Sequence, residues 1–252
     1  MSRKCKNRQG LTLLELVVVM VILVALAGIL VPMLPSMLGR AHAVNHSANV
    51  SEMNKIWGLY ANINGGYPDR LDSLISGTAL FAKLPDHMDD DLVPGELTDP
   101  QADALKAAGV RNVYLMDDAT DNATMEPYGA APATPTLIDE DVYAAFLNGA
   151  AARRLFGDTA TTAAGDAASE FVIFGVGQNC TAIGANFGMQ SAPIHFDGHG
   201  HSPIEHYARF GVVFNTAETP ARFAGAVAFH EGGLSGLDDS QVAWHGGGHH
   251  DH

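Results

Sequence analysis

The longest apolar stretch of the chain lies close to its first residue. Residues 16–31 contain no charged side chain, and the apolar character extends back to Leu11 with Thr12 and Glu15 as its polar interruptions. A bilayer core of about 30 Å needs roughly 20 helical residues. The pattern therefore predicts a transmembrane helix over residues 11–31, with the part of the chain that follows it exported.

A helical pattern continues beyond this stretch. Apolar and aromatic residues recur at three- and four-residue spacings, which predicts a helical face: Val44, Met53, Ile56, Trp57, Leu59, Tyr60 and Ile63. Pro32 removes a backbone donor and clashes with the preceding turn, so it predicts a kink rather than the end of the helix. Asn64-Gly65-Gly66 is a stop signal. We expect one helix over residues 11–63, about 80 Å long, with Trp57 and Tyr60 docked on a globular domain.

The remainder, residues 64–252, carries strand signals towards its end. Val, Ile, Phe and Tyr lie between Gly or Pro breaks in four segments: residues 170–177, 206–215, 223–230 and 241–245. The last three are close enough in sequence to form an antiparallel meander. The prediction is an α+β fold, in which a C-terminal antiparallel sheet packs on the second half of the long helix.

The middle of this domain is acidic. Residues 80–168 are rich in Asp, Pro, Ala and Thr, which predicts an insertion. Within it, residues 85–100 are typical of loops, and residues 100–108 are typical of a short helix. A further helix is predicted over 139–156, followed by a small-residue linker over 157–168.

Charge and cysteine content limit the possible partners. The formal net charge is -14, and the four basic residues within 1–10 leave ten basic against 28 acidic residues in the rest of the chain. Because nucleic-acid backbones favour Lys and Arg, we expect no nucleic-acid partner. Cys5 lies in the basic segment 1–10, so Cys180 is the single thiol beyond it and is predicted to be a small buried residue.

Glu15 distinguishes three explanations of the N-terminal segment. A secretory signal peptide has a shorter apolar core and a small-x-small cut site, for which Ala41-His42-Ala43 is the obvious candidate. A plain membrane anchor explains the length but not the carboxylate. A carboxylate inside an apolar segment is costly and by default marks function, which favours an explanation that uses the charge.

Such an explanation comes from a resemblance. The sequence from Gly10 to Glu15, Gly-Leu-Thr-Leu-Leu-Glu, resembles the N-terminal signal of type IV pilins and type II secretion pseudopilins. The resemblance implies that prepilin peptidase cuts between Gly10 and Leu11, removes residues 1–10 as a leader, and methylates Leu11. It matches Glu15 to the Glu that the family has at the fifth mature position, and Pro32 to a proline common in the family. Leu11 departs from the usual Phe.

The chemistry of Glu15 is compatible with assembly. Cleavage creates a positive amine at Leu11, and an unpaired amine or carboxylate is costly in a membrane or filament core. Pairing Glu15 of one subunit with the Leu11 amine of its neighbour removes both costs. Because one axial stagger satisfies both charges, the pair would also set the register of the subunits.

A shorter resemblance follows the predicted helix end. Tyr67-Pro68, followed by Leu71 and Leu74, is similar to the turn after the long helix in pseudopilin G-like proteins. This resemblance implies a short helix and then a small antiparallel sheet.

Two clusters are candidates for metal binding. Glu231, Asp238 and Asp239 lie in a Gly-rich segment before Trp244 that resembles the calcium loop of major pseudopilins, and calcium prefers such hard oxygen ligands. Calcium is therefore the candidate cofactor, against the alternative of a plain solvated turn. His195, Asp197, His199 and His201 suit a transition metal, against the alternative that they and the His-rich tail 245–252 are solvated.

These observations predict a structural subunit and no enzyme, since we find no credible nucleophile. The expected partners are other pilin-like subunits in a homo- or hetero-polymer, prepilin peptidase, an inner-membrane assembly platform, and lipid before assembly. The expected location is the inner membrane with a periplasmic body, and then a periplasmic or extracellular filament for protein secretion. The alternatives are a subunit of an adhesive or DNA-uptake pilus and, from another class, a membrane-anchored metal-binding protein.

Overall fold

The computed structural model of the protein describes residues 13–30, 34–116, 134–157, 163–184, 189–194, 206–230 and 233–236. The chain divides into two compact units, Met1–Ala41 and His42–His252. The N-terminal helix and the antiparallel-rich sheet confirm the predicted α+β class, which is consistent with the type IV pilin fold.

Helix α1 spans Leu13–Leu30, a segment of Leu, Val, Ile, Met and Ala that also contains Glu15 and Gly28 and has no proline. Side chains 13–29 are all exposed. Among the residues that the structure describes, no helix is long and apolar enough to cross a membrane. Residues 11, 12 and 31 of the predicted span lie outside that part of the chain, as does Pro32 with its predicted kink.

Helix α2 spans Leu34–Asn64. It ends where Gly65 adopts a φ of 71° and its N–H donates a hydrogen bond to the Ala61 carbonyl, at 2.9 Å. A glycine tolerates this left-handed conformation at a helix C-terminus. The predicted stop at Asn64-Gly65-Gly66 is confirmed.

Two shorter helices carry clear end signals. Helix α3 spans Asp99–Ala108 and begins with a capping box in which the Thr98 N–H donates to Gln101 Oε1 at 3.1 Å. Helix α4 spans Gly149–Phe156, and the Asn148 side chain accepts a hydrogen bond from the Ala151 N–H at its start. The helix predicted over 100–108 is confirmed as α3.

The described residues form ten strands of one sheet. The strands are β1 Leu71–Ser76, β2 Ala79–Leu80, β3 Leu92–Glu96, β4 Asn112–Met116, β5 Thr136–Leu137, β6 Tyr143–Asn148, β7 Ala168–Gly175, β8 Phe210–Asn215, β9 Arg222–His230 and β10 Gly233–Ser235. The main path runs β10-β9-β8-β7-β1-β4-β5, with β2 on β1 and with β6 joining β7 to β3. The β1–β4 pair is parallel, and the other pairs are antiparallel.

Both faces of this sheet are buried. Successive side chains of a strand point to opposite faces, and in β7 Val172 and Phe174 join one core cluster whereas Phe171 and Ile173 join another. The first cluster contains the buried side of α2 and α3, and the second contains residues of α4. The sheet is therefore a middle layer, with α2 and α3 on one face and α4 on the other.

Most of the strands predicted near the C-terminus are confirmed. The segments 170–177, 206–215 and 223–230 correspond to β7, β8 and β9, which pair in sequence as an antiparallel meander. The predicted strand 241–245 lies outside the described residues.

Three local predictions are wrong. The short helix implied after Tyr67-Pro68 is instead strand β1. The helix predicted over 139–156 is strand β6 up to Asn148 and a helix only from Gly149, because the first apolar run is paired between β3 and β7. The loops predicted over 85–100 contain β3 and the start of α3.

The acidic segment 80–168 is structurally integral to the sheet. It supplies β3, β4, β5 and β6. Its origin as an insertion stays a prediction, and residues 117–133 and 158–162 within it lie outside the described part.

Candidate assembly site

The first candidate surface is helix α1, which is apolar on all sides and has one charged residue, Glu15, in its first turn. Its large side chains are exposed, for example Leu13 at 81% and Val24 at 69%. Apolar surface in water is unfavourable by about 25 cal/mol per Å², and an exposed apolar patch of this kind marks an interaction surface. Other apolar helices or lipid chains would cover the exposed apolar side chains of α1.

Glu15 is the one predicted assembly residue that the structure describes. A carboxylate in the first turn of a helix interacts favourably with the helix dipole, so its position does not disrupt α1. Gly10, Leu11 and Pro32 lie outside the described residues, so the cleavage site, the methylated amine and the kink stay predictions.

Helix α2 docks on the sheet through one side. Val50, Met53, Ile56 and Trp57 are buried in the first core cluster. The Trp57 ring stacks on Phe223 of β9 with centroids 6.3 Å apart. The predicted docking of Trp57 on the globular domain is therefore confirmed.

Polar contacts fix the position of α2 against the sheet. Asn54 Oδ1 accepts a hydrogen bond from the Ala226 N–H of β9 at 2.9 Å. The hydroxyl of Tyr60, which is partly buried, donates to Thr181 Oγ1 at 3.1 Å. These contacts hold the helix in one register on the sheet.

The other side of α2 presents two large apolar side chains to solvent. Leu59 is 48% exposed and Ile63 is 63% exposed, and a four-residue spacing puts them next to each other on a helix surface. A groove of about 390 Å³ lies at the same end of α2, between Gly65, Tyr67 and the β8–β9 connection at Pro220. This end of α2 is a second candidate contact surface.

The turn after α2 is fixed by Asp69. Its Oδ1 accepts hydrogen bonds from the backbone N–H groups of Arg111, at 2.7 Å, and Asn112, at 2.6 Å. Its Oδ2 accepts from Asn112 Nδ2 at 2.8 Å. The Asp69 N–H in turn donates to Thr181 Oγ1 at 2.8 Å. The Tyr-Pro turn thus connects the end of α2 to β4 and to the segment after β7.

The candidate metal ligands belong to segments outside the described part of the chain. Glu231, Asp238 and Asp239 lie outside the described residues, as do the histidine cluster from His195 to His201, including Asp197 and His199, and the tail 245–252. Within the described ranges, no group of three or more His, Cys, Asp or Glu side chains is placed to hold a metal ion. Both metal sites therefore stay hypotheses.

Next to the predicted calcium segment, β10 is fixed by a carboxylate that the sequence did not single out. Asp91 Oδ2 accepts hydrogen bonds from Arg154 at 2.6 Å and from the Leu234 N–H at 2.7 Å. The Oδ2 atom of Asp91 therefore binds two protein groups, which lie 63 and 143 residues away in the chain.

Cys180 is buried, as predicted. Burial raises the pKa of its thiol to about 12, so the thiolate that reactive chemistry needs is scarce at neutral pH. The Cys180 N–H donates to the Gly177 carbonyl at 3.2 Å. The surroundings of Cys180 thus favour a structural role.

The family model of the prokaryotic N-terminal methylation motif matches residues 5–31. This match covers 27 of the 252 residues and supports a type IV pilin-like N-terminal segment. No curated protein and no solved structure gives a significant match.

A type IV pilin-like motif implies a subunit that prepilin peptidase processes and that polymerises. The motif contains Gly10, Leu11 and Glu15, so the match covers the predicted cleavage site and the exposed apolar residues of α1. It also fits a membrane-anchored subunit.

Proposed function

We propose that this pilin-like protein is a structural subunit, and no enzyme, of a type II secretion pseudopilus. The observation that carries the proposal is helix α1, whose apolar surface is exposed from 13 to 29 and whose single charge is Glu15. A neighbouring α1 would cover the apolar surface, and a neighbouring Leu11 amine would neutralise Glu15.

The proposed path has two environments for α1. Before assembly, residues 11–31 anchor the subunit in the inner membrane with its body in the periplasm. After extraction by an assembly platform, the same apolar side chains pack in the core of a periplasmic or extracellular filament. Packing against like helices stabilises the filament through close contacts rather than through further removal of water.

Support for the secretion role comes from the acidic segment before Trp244, which is similar to a pseudopilin feature. The Tyr67-Pro68 dipeptide is also similar to one, although strand β1 follows it where the resemblance implied a short helix. Deleting the gene in its own host should reduce secreted protein while leaving surface pili in place. Loss of surface pili or of DNA uptake, with normal secretion, would instead support the pilus alternatives.

Replacing Glu15 with Gln should separate processing from assembly. The variant keeps the shape of the side chain but leaves the neighbouring amine unpaired, a loss of about 3–5 kcal/mol for a buried pair. We expect methyl-Leu11 in mass spectra of both proteins and a filament yield lowered by more than about tenfold. Electron microscopy of sheared filaments measures the yield.

The matched control is Glu52→Gln, which removes a carboxylate that is 62% exposed on α2 and salt-bridged to Lys55. It should assemble normally. Normal filaments from Glu15→Gln would reject the charge pairing, and an intact Met1 or a cut after Ala43 in the wild type would reject the pilin pathway itself.

A further inference from the structure

The sheet has a narrow junction between β1 and β7. On one side β1 pairs with β4, and on the other it pairs with β7 through the single residue pair Asp72 and Gly175. Along the main strand order, this pair joins β4 and β5 to the meander β7–β10. The contacts at Asp72 therefore influence how firmly the two parts of the sheet are joined.

Asp72 carries a buried carboxylate at this junction. Its exposed fraction is 3%, and its Oδ2 accepts a hydrogen bond from the Tyr207 hydroxyl at 2.5 Å. Its Oδ1 is buried and has no hydrogen-bond partner among the described residues. A carboxylate with one unmatched buried oxygen is costly when ionised.

Two glycines make room for this contact. A Cβ on Gly177 would collide with both carboxylate oxygens of Asp72, and a Cβ on Gly175 would collide with the Tyr207 hydroxyl. The backbone at the end of β7 and just after it therefore passes directly against the Asp72–Tyr207 pair.

Tyr207 connects the junction to the entry of β8. Its N–H donates to the Lys83 carbonyl at 2.6 Å, and its ring packs edge-on against Phe81 and Phe229. Arg209, buried at 2% exposure, lies over the Tyr207 ring with its guanidinium carbon 5.8 Å from the centroid. Tyr207 and Asp72 are 135 residues apart in the chain, so their contact is tertiary.

We propose that Asp72, Tyr207 and Arg209 form a proton-responsive latch that fixes the junction between β1 and β7. In the latch, Tyr207 and Arg209 stabilise the ionised carboxylate, and a proton on Asp72 removes the cost of burying its charge. The latch concerns the body of the protein and does not rest on the proposed function.

Burial and the neighbouring groups act on the pKa of Asp72 in opposite directions. Burial raises the pKa of Asp72, while Arg209 and the Tyr207 hydrogen bond act to lower it. Cys180 and Tyr207 keep their protons, since burial raises the pKa of Cys180 to about 12 and that of Tyr207 well above its usual value, and the Arg209 guanidinium remains protonated. His206, half-buried, is a titratable imidazole next to Tyr207 in the chain. Asp69 adds a negative charge near Cys180.

The direction of the pH dependence follows because the pKa of Asp72 is higher in the folded chain than in the unfolded chain, where an Asp has a pKa of about 3.9. The stability linked to the Asp72 proton is complete below the unfolded pKa and is lost as pH rises through the folded pKa. Without the Tyr207 hydroxyl, the folded pKa of Asp72 rises further. The destabilisation caused by Tyr207→Phe should therefore grow with pH.

The test measures equilibrium unfolding of the full-length chain in detergent between about pH 4 and pH 9, for wild type, Tyr207→Phe, Asp72→Asn and the double variant. We expect Tyr207→Phe to change the unfolding equilibrium constant about tenfold more at the highest pH than at the lowest. This factor corresponds to a shift of about one unit in the pKa of Asp72. In the Asp72→Asn background that pH dependence should vanish.

Tyr60→Phe is the control, because it removes a hydroxyl that donates to the neutral Thr181 side chain, and its effect should not vary with pH. An effect of Tyr207→Phe that is equal across the pH range would overturn the latch. If Tyr207→Phe does not fold, wild type is compared with Asp72→Asn alone, and parallel stability curves from pH 4 to about pH 9 would overturn it equally.

Discussion

At the residue scale, single carboxylates fix turns and strand junctions in this protein. Asp69 accepts three hydrogen bonds from Arg111 and Asn112, Asp91 holds Arg154 and β10, and Asp72 holds Tyr207. Because hydrogen bonds to ionised groups are stronger than neutral ones, each of these acids contributes more to the fold than an average surface acid. The chain is acidic overall, yet some of its acids are structural.

Asp69→Ala should destabilise the body by about 2 kcal/mol, because it leaves two backbone N–H groups and one amide without their acceptor. Asp69→Asn keeps one carbonyl oxygen and should have a smaller effect. Chemical denaturation of the full-length chain in detergent measures both. Asp86→Ala, at an exposed position, should stay within about 0.5 kcal/mol of wild type, and an equal effect of both alanine variants would contradict the role of Asp69.

Sequence reasoning did not find these acids because their partners are distant in the chain. Tyr207 is 135 residues from Asp72, and Leu234 is 143 residues from Asp91. No local spacing carries such information, whereas the buried state of Cys180 was predictable from its residue type alone. A clue was available at Gly177, whose lack of a side chain permits the close approach to Asp72.

At the scale of elements, the spacing of apolar residues predicted the long and regular helices and strands. The 18-residue helix α1, the end of α2 at Asn64 and the individual strands β7, β8 and β9 follow from apolar runs bounded by Gly or Pro. The helix predicted over 139–156 joined the Tyr-Ala-Ala-Phe-Leu run of β6 to α4 across Asn148-Gly149, where the structure changes from strand to helix. The resemblance of Tyr67-Pro68 and the following leucines to pseudopilin G-like proteins implied a short helix where β1 lies, whereas long-range pairing with β4 and β7 makes this segment a strand.

The exposed side of α2 yields a prediction about assembly. Replacing Leu59 and Ile63 with Gln should leave the stability of the body unchanged within about 0.5 kcal/mol, since both side chains are exposed. If a second copy covers them, subunit addition should weaken by about tenfold, because burying one such side chain contributes about 1.5–3 kcal/mol. Filament yield by electron microscopy is the measurement.

The control for this pair is Asn62→Gln, an exposed polar position on the same helix. It should assemble as the wild type does. Wild-type filament yield from the Leu59 and Ile63 variant would show that this side of α2 faces solvent in the filament.

At the scale of the whole molecule, apolar and acidic surface are segregated along the chain. The described part of α1 has one charged residue, whereas the whole chain has a net charge of -14. Packed α1 helices would bring acidic bodies close together, and their repulsion falls when cations bind or salt screens them. A cation bound to the body would therefore stabilise both the subunit and the filament.

The calcium hypothesis gives this idea a specific form. If Glu231, Asp238 and Asp239 bind calcium, then calcium at about 100 times its dissociation constant should raise stability by about 2.7 kcal/mol, or the thermal midpoint by about 5 °C, and excess chelator should reverse it. Neutralising the three ligands as amides should abolish the shift, whereas amides at the exposed Asp86 and Asp89 should not. An equal shift with sodium chloride at matched ionic strength would indicate screening of the acidic body and reject the site.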